Sequence, residues 1–445
     1  MVFSPKLVML TNTAMKILKS LPISPFGGLN FLLEEFDKLG LDKIIQQELP
    51  ELSKQSKYTW KDILYSFWSI YFCGGDCIED LSIHLKEAIN TNPYIHVPSP
   101  DRVLERMKEL SFPMQVCHTI RGDKRHEFSI NELMNTLNIN LLKKISNIQN
   151  KKNILDYDNT IIYTEKADAT MTYKRKTGYQ PGVGIIGKNI VYLENRNGNS
   201  DAQTLQQDTL KRMFDLLKSH GIDIDVFRAD SASYQLSTLS VITRNVNRFF
   251  IRGRMNQSLH EAINQIDKWD ETIIDNKVVY RGETNFIPFE KIAKRTRQQH
   301  LLESYRLIVT KEKRVDGQTN IFTGEAFNYS AIITNDYEMT ADQAVIFYNQ
   351  RGTAEIEFDI MKNDFGWNNM PFSRIQYNTV FLILTAICRN IYNYIICSFS
   401  KVYKYLSPSF RIKKFIFRFV CIPAKWMKTS RMWKLRVYGN LYFKT

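Results

Sequence analysis

The sequence predicts an α/β core interrupted by a largely β insertion, with a helical region before it and a basic segment after it. Three observations lead to that expectation. Residue spacing is helical up to about residue 148, then changes at Asn153 to runs rich in β-branched residues. From there the order is three strand candidates, a helix and a strand, followed by a long stretch of short strand-like runs. Past residue 400 the charge becomes one-sided: residues 401–445 hold 12 Lys or Arg and no Asp or Glu. A chain of 445 residues exceeds one ordinary core. Its 44% hydrophobic and 24% charged residues describe a soluble globular protein and exclude a mainly disordered one.

The elements follow in order. Within residues 1–148, Leu29–Leu39 has helical apolar spacing after Gly27-Gly28, and Trp60–Phe72 is a second apolar helix ended by Gly74-Gly75. Ser99-Pro100 supplies an N-cap and a first-turn proline for a helix over Arg102–Leu110. Residues 149–235 open the core with strands over Ile154–Ile162, Thr170–Lys174 and Gly184–Leu193, with turns at Gly178, Pro181, Gly182 and Gly187. A helix over Asp201–Lys218 and a strand over Asp225–Ala229, ending at Asp230, come next. Three strands, a helix and a strand are the opening order of an RNase H-like fold. Residues 236–340 read as the β-rich insertion, with strand-like runs Arg248–Arg252, Thr272–Tyr280, Tyr305–Val309 and Tyr329–Thr334. The core resumes over residues 341–400, with helices at about 340–364 and 375–400. The apolar run Val380–Cys388 is short and precedes Arg389, Asn390 and Asn393, so it reads as a buried helix rather than a membrane span.

The net charge is +14, and most of the excess lies in residues 401–445. There the basic residues interleave with Phe415, Phe417, Phe419, Trp426, Trp433 and Tyr438. Lysines and arginines docked on phosphates release condensed counterions, so this pattern points to nucleic acid. A basic tail without a partner, or one touching lipid, is the alternative. The six cysteines include no CxxC pair or zinc-like spacing, and Cys73 and Cys77 read as buried thiols. A reduced, cytoplasmic protein is expected, and the N-terminus lacks a secretory pattern.

Three acidic segments carry the candidate chemistry. In Leu155-Asp156-Tyr157-Asp158-Asn159-Thr160, residues two apart share a strand face, so Asp156 and Asp158 can address one site. Carboxylates in an apolar strand need solvent, a partner or a metal; an Asx turn at Asp158-Asn159 is the plainer explanation. Asp230 ends a buried strand, where α/β sites gather their ligands, or else it caps the next helix. Tyr348, Arg351, Glu355 and Lys362 follow Tyr-x2-Arg-x3-Glu-x6-Lys, which places all four on one helical face. Such a face can grip phosphate and offer a metal ligand, or it is a solvated face with an Arg351–Glu355 pair.

Together these segments resemble the DDE transposases of bacterial insertion sequences, in the insertion-sequence-four superfamily and its 1380 branch. The Tyr-Arg-Glu-Lys spacing is similar to the superfamily motif. Asp-x-Asp-x-Thr (Asp156 to Thr160) followed by Arg228-Ala229-Asp230-Ser231 resembles the branch, as do Gly27-Gly28-Leu29, Gly74-Gly75, Glu79-Asp80-Leu81 and Pro98-Ser99. The resemblance implies Asp158, Asp230 and Glu355 as the catalytic, metal-binding triad. Asp156 stands as the alternative first ligand, and Glu357 as an alternative to Glu355 that breaks the spacing. It implies DNA contacts near the cleaved phosphate from Tyr348, Arg351 and Lys362. Trp269 is a candidate for stacking on an extruded base, against ordinary packing.

The resemblance further implies a DNA-binding role for residues 1–148, with double-stranded DNA as partner, both as terminal inverted repeats and as target. A homodimer in a synaptic complex, no membrane partner and a nucleoid-associated bacterial location belong to the same expectation. The expected cofactor is two Mg²⁺ ions about 4 Å apart, with Mn²⁺ able to substitute, since hard ions suit carboxylate oxygens. One ion activates water to free a 3′-hydroxyl, which then attacks another strand; superfamily members pass through a hairpin. The competing expectations are an RNase H-like nuclease without joining activity and a non-catalytic DNA-binding protein.

Overall fold

A computed structural model describes residues 23–119, 124–274, 277–314, 318–319 and 326–439. Its N-terminal helices are α1 (Leu29–Leu39), α2 (Leu41–Glu48), α3 (Trp60–Phe72), α4 (Lys86–Ile89) and α5 (Pro100–Glu109). Gly40 turns α1 into α2 with φ +70, a conformation that suits a residue without Cβ. A reciprocal capping box between Thr59 and Asp62 starts α3, and Ser99 accepts from the Arg102 amide at the start of α5. The helices predicted over Leu29–Leu39 and Trp60–Phe72 are present with those bounds.

The stretch up to residue 148 is not wholly helical, however. It contains the antiparallel strands β1 (Gln115–Thr119) and β2 (Lys124–Ser129), and β2 pairs with a strand nearly 70 residues later through Phe128↔Arg196 and Ser129↔Asn195. That pairing partner is out of reach of any local pattern, which is why periodicity missed the pair. Helix α6 (Glu132–Ile145), capped by Asn131, then leads into the core.

The core strands are β3 (Asn153–Asn159), β7 (Gly182–Ile186), β8 (Asn189–Arg196), β9 (Ile224–Ala229) and β10 (Arg248–Arg252). Between β3 and β7 an excursion forms a small separate sheet of β4 (Ile162–Tyr163), β5 (Thr170–Met171) and β6 (Thr177–Tyr179). The run Thr170–Lys174 is therefore not a core strand. Gly184–Leu193 is not one strand either: Gly187, at φ +64, folds it into the β7–β8 hairpin. Helix α7 (Gln206–Ser219) links β8 to β9, and α8 (Leu236–Asn245) links β9 to β10.

In the sheet these strands lie in the order β8-β7-β3-β9-β10. The hairpin is antiparallel to β3, whereas β3, β9 and β10 run parallel. Helix α8 and β10, which fall within residues 236–340, continue this parallel set, and residues 253–340 follow. Those residues hold α9 (Gln257–Ile263), β11 (Asp270–Ile274), β12 (Lys277–Phe286), α10 (Glu290–Thr296), β13 (Tyr305–Lys313) and β14 (Phe327–Thr334). Their strands continue the core sheet instead of forming a sheet of their own: β14 pairs with β10, giving eleven strands in all, β1-β2-β8-β7-β3-β9-β10-β14-β13-β12-β11. The edge of β10 would otherwise expose an unpaired ladder.

Helix α11 (Ala341–Asn349) starts at a Thr340–Gln343 capping box, and a single 3-10 turn over Gln350–Gly352 separates it from α12 (Thr353–Asp364). Helix α13 (Ile375–Val402) is long and apolar enough to cross a membrane, yet 83% of its most apolar window is buried inside the fold. The Trp68 indole donates to the Leu384 carbonyl, the Asn390 side chain bonds Ile190 and Asn138, and Arg389 pairs with Glu357. These contacts bind the N-terminal helices, the sheet and α12 to one helix.

The basic segment is folded over residues 401–439. Helix α14 (Ile412–Phe415), a wider turn over Ile416–Val420 and the hairpin β15 (Ala424–Thr429) and β16 (Met432–Val437) return to the N-terminal helices. Ser24 pairs with Ala424, and the Trp426 indole donates to Asn30. A Cβ on Gly28 would lie 2.0 Å from the Phe419 carbonyl oxygen, so the glycine permits this approach.

Candidate active site

Asp158 and Asp230 stand at the same end of the two adjacent parallel strands. Tyr157 is in register with Ala229, so the two aspartates follow at the next position of β3 and β9. The carboxyl ends of parallel strands are where α/β sheets open into sites. The Asp158 Oδ1 accepts from the Asn159 amide and its Oδ2 from Arg351 at 2.9 Å. Burial pushes the Asp158 carboxyl up to about 6, with Arg351 opposing and the negative charge of Asp230 adding to the rise. Asp230 also caps the short turn Ser231–Ser233 through the Ala232 amide, so the capping reading of this residue is part of its role.

Glu355 arrives from the other half of the chain. It lies exposed in the first turn of α12, and it lines one cleft of about 430 Å³ together with Asp158, Asn159, Gln180, Asp359 and Lys362. Lys362, two turns further along α12, is half-buried, and burial pushes its ammonium below the usual lysine value. No Arg351–Glu355 ion pair forms; Arg351 reaches across to Asp158 instead. Burial alone would lower the Arg351 pKa, but Asp158 more than offsets it and the guanidinium is held above its ordinary value.

The four motif residues do not share one helical face. The 3-10 turn at Gln350–Gly352 breaks the helix between Tyr348 and Glu355. Tyr348 is buried beneath the site, and its hydroxyl donates to the Ala229 carbonyl at 3.2 Å, so as placed here it holds β9 and does not face the cleft.

Asp156 is committed elsewhere. Its two oxygens accept from Nε and Nη2 of Arg228, each at 2.7 Å, with side chains 3% and 6% exposed. Arg228 also donates to the Phe347 carbonyl and lies 4.8 Å from that ring's centroid, anchoring the end of α11 next to the Arg351 turn. Arg228 stands within the Arg-Ala-Asp-Ser motif, where no local pattern assigns it a role. The signal was the arginine two residues before Asp230, opposite an unexplained aspartate in a strand. Glu357 is likewise spoken for, in a buried two-bond pair with Arg389. Trp269 packs against Tyr329, with the Lys311 ammonium 4.3 Å from its ring centroid, and it is not among the residues lining the Asp158–Glu355 cleft.

A hard divalent ion fits this donor set. Ionised carboxylates at Asp158, Asp230 and Glu355 offer oxygen ligands, and each oxygen retains a lone pair beyond the bond it already accepts. Two further acceptors of the same cleft, Asn159 Oδ1 and Gln180 Oε1, are buried without a donor. The three carboxylates do not converge on one point; among the described residues only Asp76, Cys77 and Asp80 gather oxygen and sulfur atoms that closely. Asp158, Asp230 and Glu355 would be the residues to hold divalent ions here, which would supply water activation and charge neutralisation at a phosphate. The Asp76–Asp80 group contradicts the expectation of a buried Cys77 thiol, which is half-buried beside both aspartates. Its Asp80 carboxylate caps the Asp76 and Cys77 amides of a turn.

A family model for the transposase DDE domain, group 1, matches residues 22–441, and the chain belongs to that family. DNA transposition by a DDE enzyme is thus its class of activity. Among solved structures the chain is similar to a piggyBac transposase synaptic complex with hairpin DNA, at 13% identity and TM-score 0.42, over 89% of this chain and 79% of the other. It is also similar to the Drosophila P element transposase strand transfer complex, at 12% identity and TM-score 0.26, over 56% of this chain and 53% of the other. Comparison with curated proteins yields no match.

Proposed function

We propose that this transposase binds the terminal inverted repeats of an insertion sequence and catalyses Mg²⁺-dependent DNA cleavage and strand transfer, as a member of the insertion-sequence-four superfamily in its 1380 branch. The observation that carries the reading is the meeting of Asp158 and Glu355, almost 200 residues apart in the chain, in one cleft with Lys362, while Asp230 stands at the adjacent strand end. On this reading the strand order β8-β7-β3-β9-β10 is an RNase H-like core.

Two divalent ions, when bound, supply water activation and charge neutralisation at the phosphate. The chain's own residues do the remaining work. Asp158, Asp230 and Glu355 hold the ions, Lys362 grips a phosphate oxygen at the cleft, and Arg351 keeps Asp158 in place until DNA arrives and competes for its guanidinium. The N-terminal helices bind the repeat, and the exposed Lys428, Arg431, Lys434 and Arg436 of the terminal hairpin add phosphate contacts. The working form is a cytoplasmic, nucleoid-associated homodimer that pairs two element ends.

The test is a reaction of purified protein, Mg²⁺ and a labelled duplex carrying the flanking terminal repeat, beside Glu355→Gln. Nicking at the repeat boundary followed by joined product, lost in Glu355→Gln, supports the reading. Hydrolysis without joining assigns a nuclease instead, and repeat binding without cleavage in either protein assigns a DNA-binding function.

A further inference from the structure

The excursion between β3 and β7 presents aromatic rings to the catalytic cleft. Tyr163 on β4 and Tyr173 in the β5–β6 turn line the same cleft as Asp158, Glu355 and Lys362, yet they are 47% and 64% exposed. Each carries a lysine: Lys176 lies 5.3 Å from the Tyr163 ring centroid and Lys174 lies 5.2 Å from that of Tyr173. The excursion is also well anchored. The Asn197 side chain accepts from both the Thr170 amide and its hydroxyl and donates to the Asp168 carbonyl. The Asp168 carboxylate accepts from the Tyr179 hydroxyl and from the Ile375 amide at the start of α13. A Cβ on Gly198 would lie 2.3 Å from the Thr170 carbonyl oxygen, so the excursion lies directly on the chain leaving β8.

We propose that Tyr163 and Tyr173 form a stacking platform for unpaired nucleotides at the reacting DNA end. The proposal rests on the transposase reading above and names the state of the DNA that its cleft accepts. Aromatic rings stack on any base face, while flanking lysines meet the backbone phosphates. A paired duplex keeps its internal base faces stacked on one another and offers the rings only the outer face of its terminal pair. The platform therefore favours a DNA end that has been opened beside the scissile phosphate.

Two probes separate the possibilities: a flush duplex, and the same duplex with a short unpaired tail carrying 2-aminopurine, both measured in EDTA so that no cleavage intervenes. The wild type binds the tailed probe more tightly and quenches its fluorescence. The double variant Tyr163→Ala/Tyr173→Ala loses about 5- to 100-fold in affinity for the tailed probe alone, and loses the quench. The double variant Tyr163→Phe/Tyr173→Phe keeps both, since its rings remain. Equal affinity of the alanine variant and the wild type for the tailed probe overturns the platform, as does an equal loss on both probes. Wild-type protein that binds neither probe overturns the transposase reading, and the platform with it, which is a distinguishable failure.

Discussion

Asp156 and Asp158 share one face of β3, and the structure sets them to different work, which replacement by asparagine separates. Asp156→Asn removes one charge from a pair whose side chains are 3% and 6% exposed, leaving the Arg228 guanidinium buried against a neutral amide. Breaking a buried pair from one side costs about 3–5 kcal/mol. Asp158→Asn also strands an arginine, but Arg351 and Asp158 are 12% and 15% exposed at the open cleft, where water reaches the guanidinium, so it costs less stability. Urea unfolding then shows a lower midpoint for Asp156→Asn than for Asp158→Asn. Repeat cleavage shows the reverse order when assayed where both proteins are folded. Replacing both partners, as Asp156→Asn with Arg228→Met, restores part of the lost stability because no uncompensated charge remains. A normal unfolding midpoint for Asp156→Asn combined with abolished cleavage refutes this reasoning and makes Asp156 the ligand.

Three other outcomes follow from the same geometry. Glu357→Gln destabilises by about 3–5 kcal/mol through the stranded Arg389, whereas Glu355→Gln leaves the unfolding midpoint unchanged; equal midpoints would remove the distinction. In the metal-free protein, the Asp158 carboxyl holds its proton to about pH 6 against an ordinary 3.8. Its contribution of about 3 kcal/mol is complete below the ordinary value and is lost as pH rises through about 6. Stability should fall across that window, and more shallowly in Asp158→Asn; identical profiles contradict the burial. Gly28→Ala places a Cβ 2.0 Å from the Phe419 oxygen and 2.6 Å from the Val420 Cα, so it should cost about 1–3 kcal/mol and open residues 401–439 to proteolysis. An unchanged digestion pattern means that the segment does not dock there.

Much of this was legible in the chain itself. Helices α1, α3 and α13 follow from apolar spacing, with a glycine stop after α3, because such signals lie within a few residues of the element they set. Strands β9 and β10, the Asp230 strand end and the Tyr-Arg-Glu-Lys spacing are equally local patterns. What spacing cannot supply is the identity of a distant partner. Two aspartates on one strand face look alike until Arg228 from β9 claims Asp156 and Arg351 from the turn after α11 claims Asp158. Glu355 and Glu357 are separated only by Arg389 on α13, and Trp269 is explained only by Lys311 beside it. The inserted strands look like a separate unit until β14 finds the open edge of β10. The sequence by itself determined which residues can carry metal chemistry and roughly where its helices and strands lie. Tertiary structure alone decided which carboxylates are left free to do it, because in a buried interior each charge is assigned by whichever opposite charge the fold brings within reach.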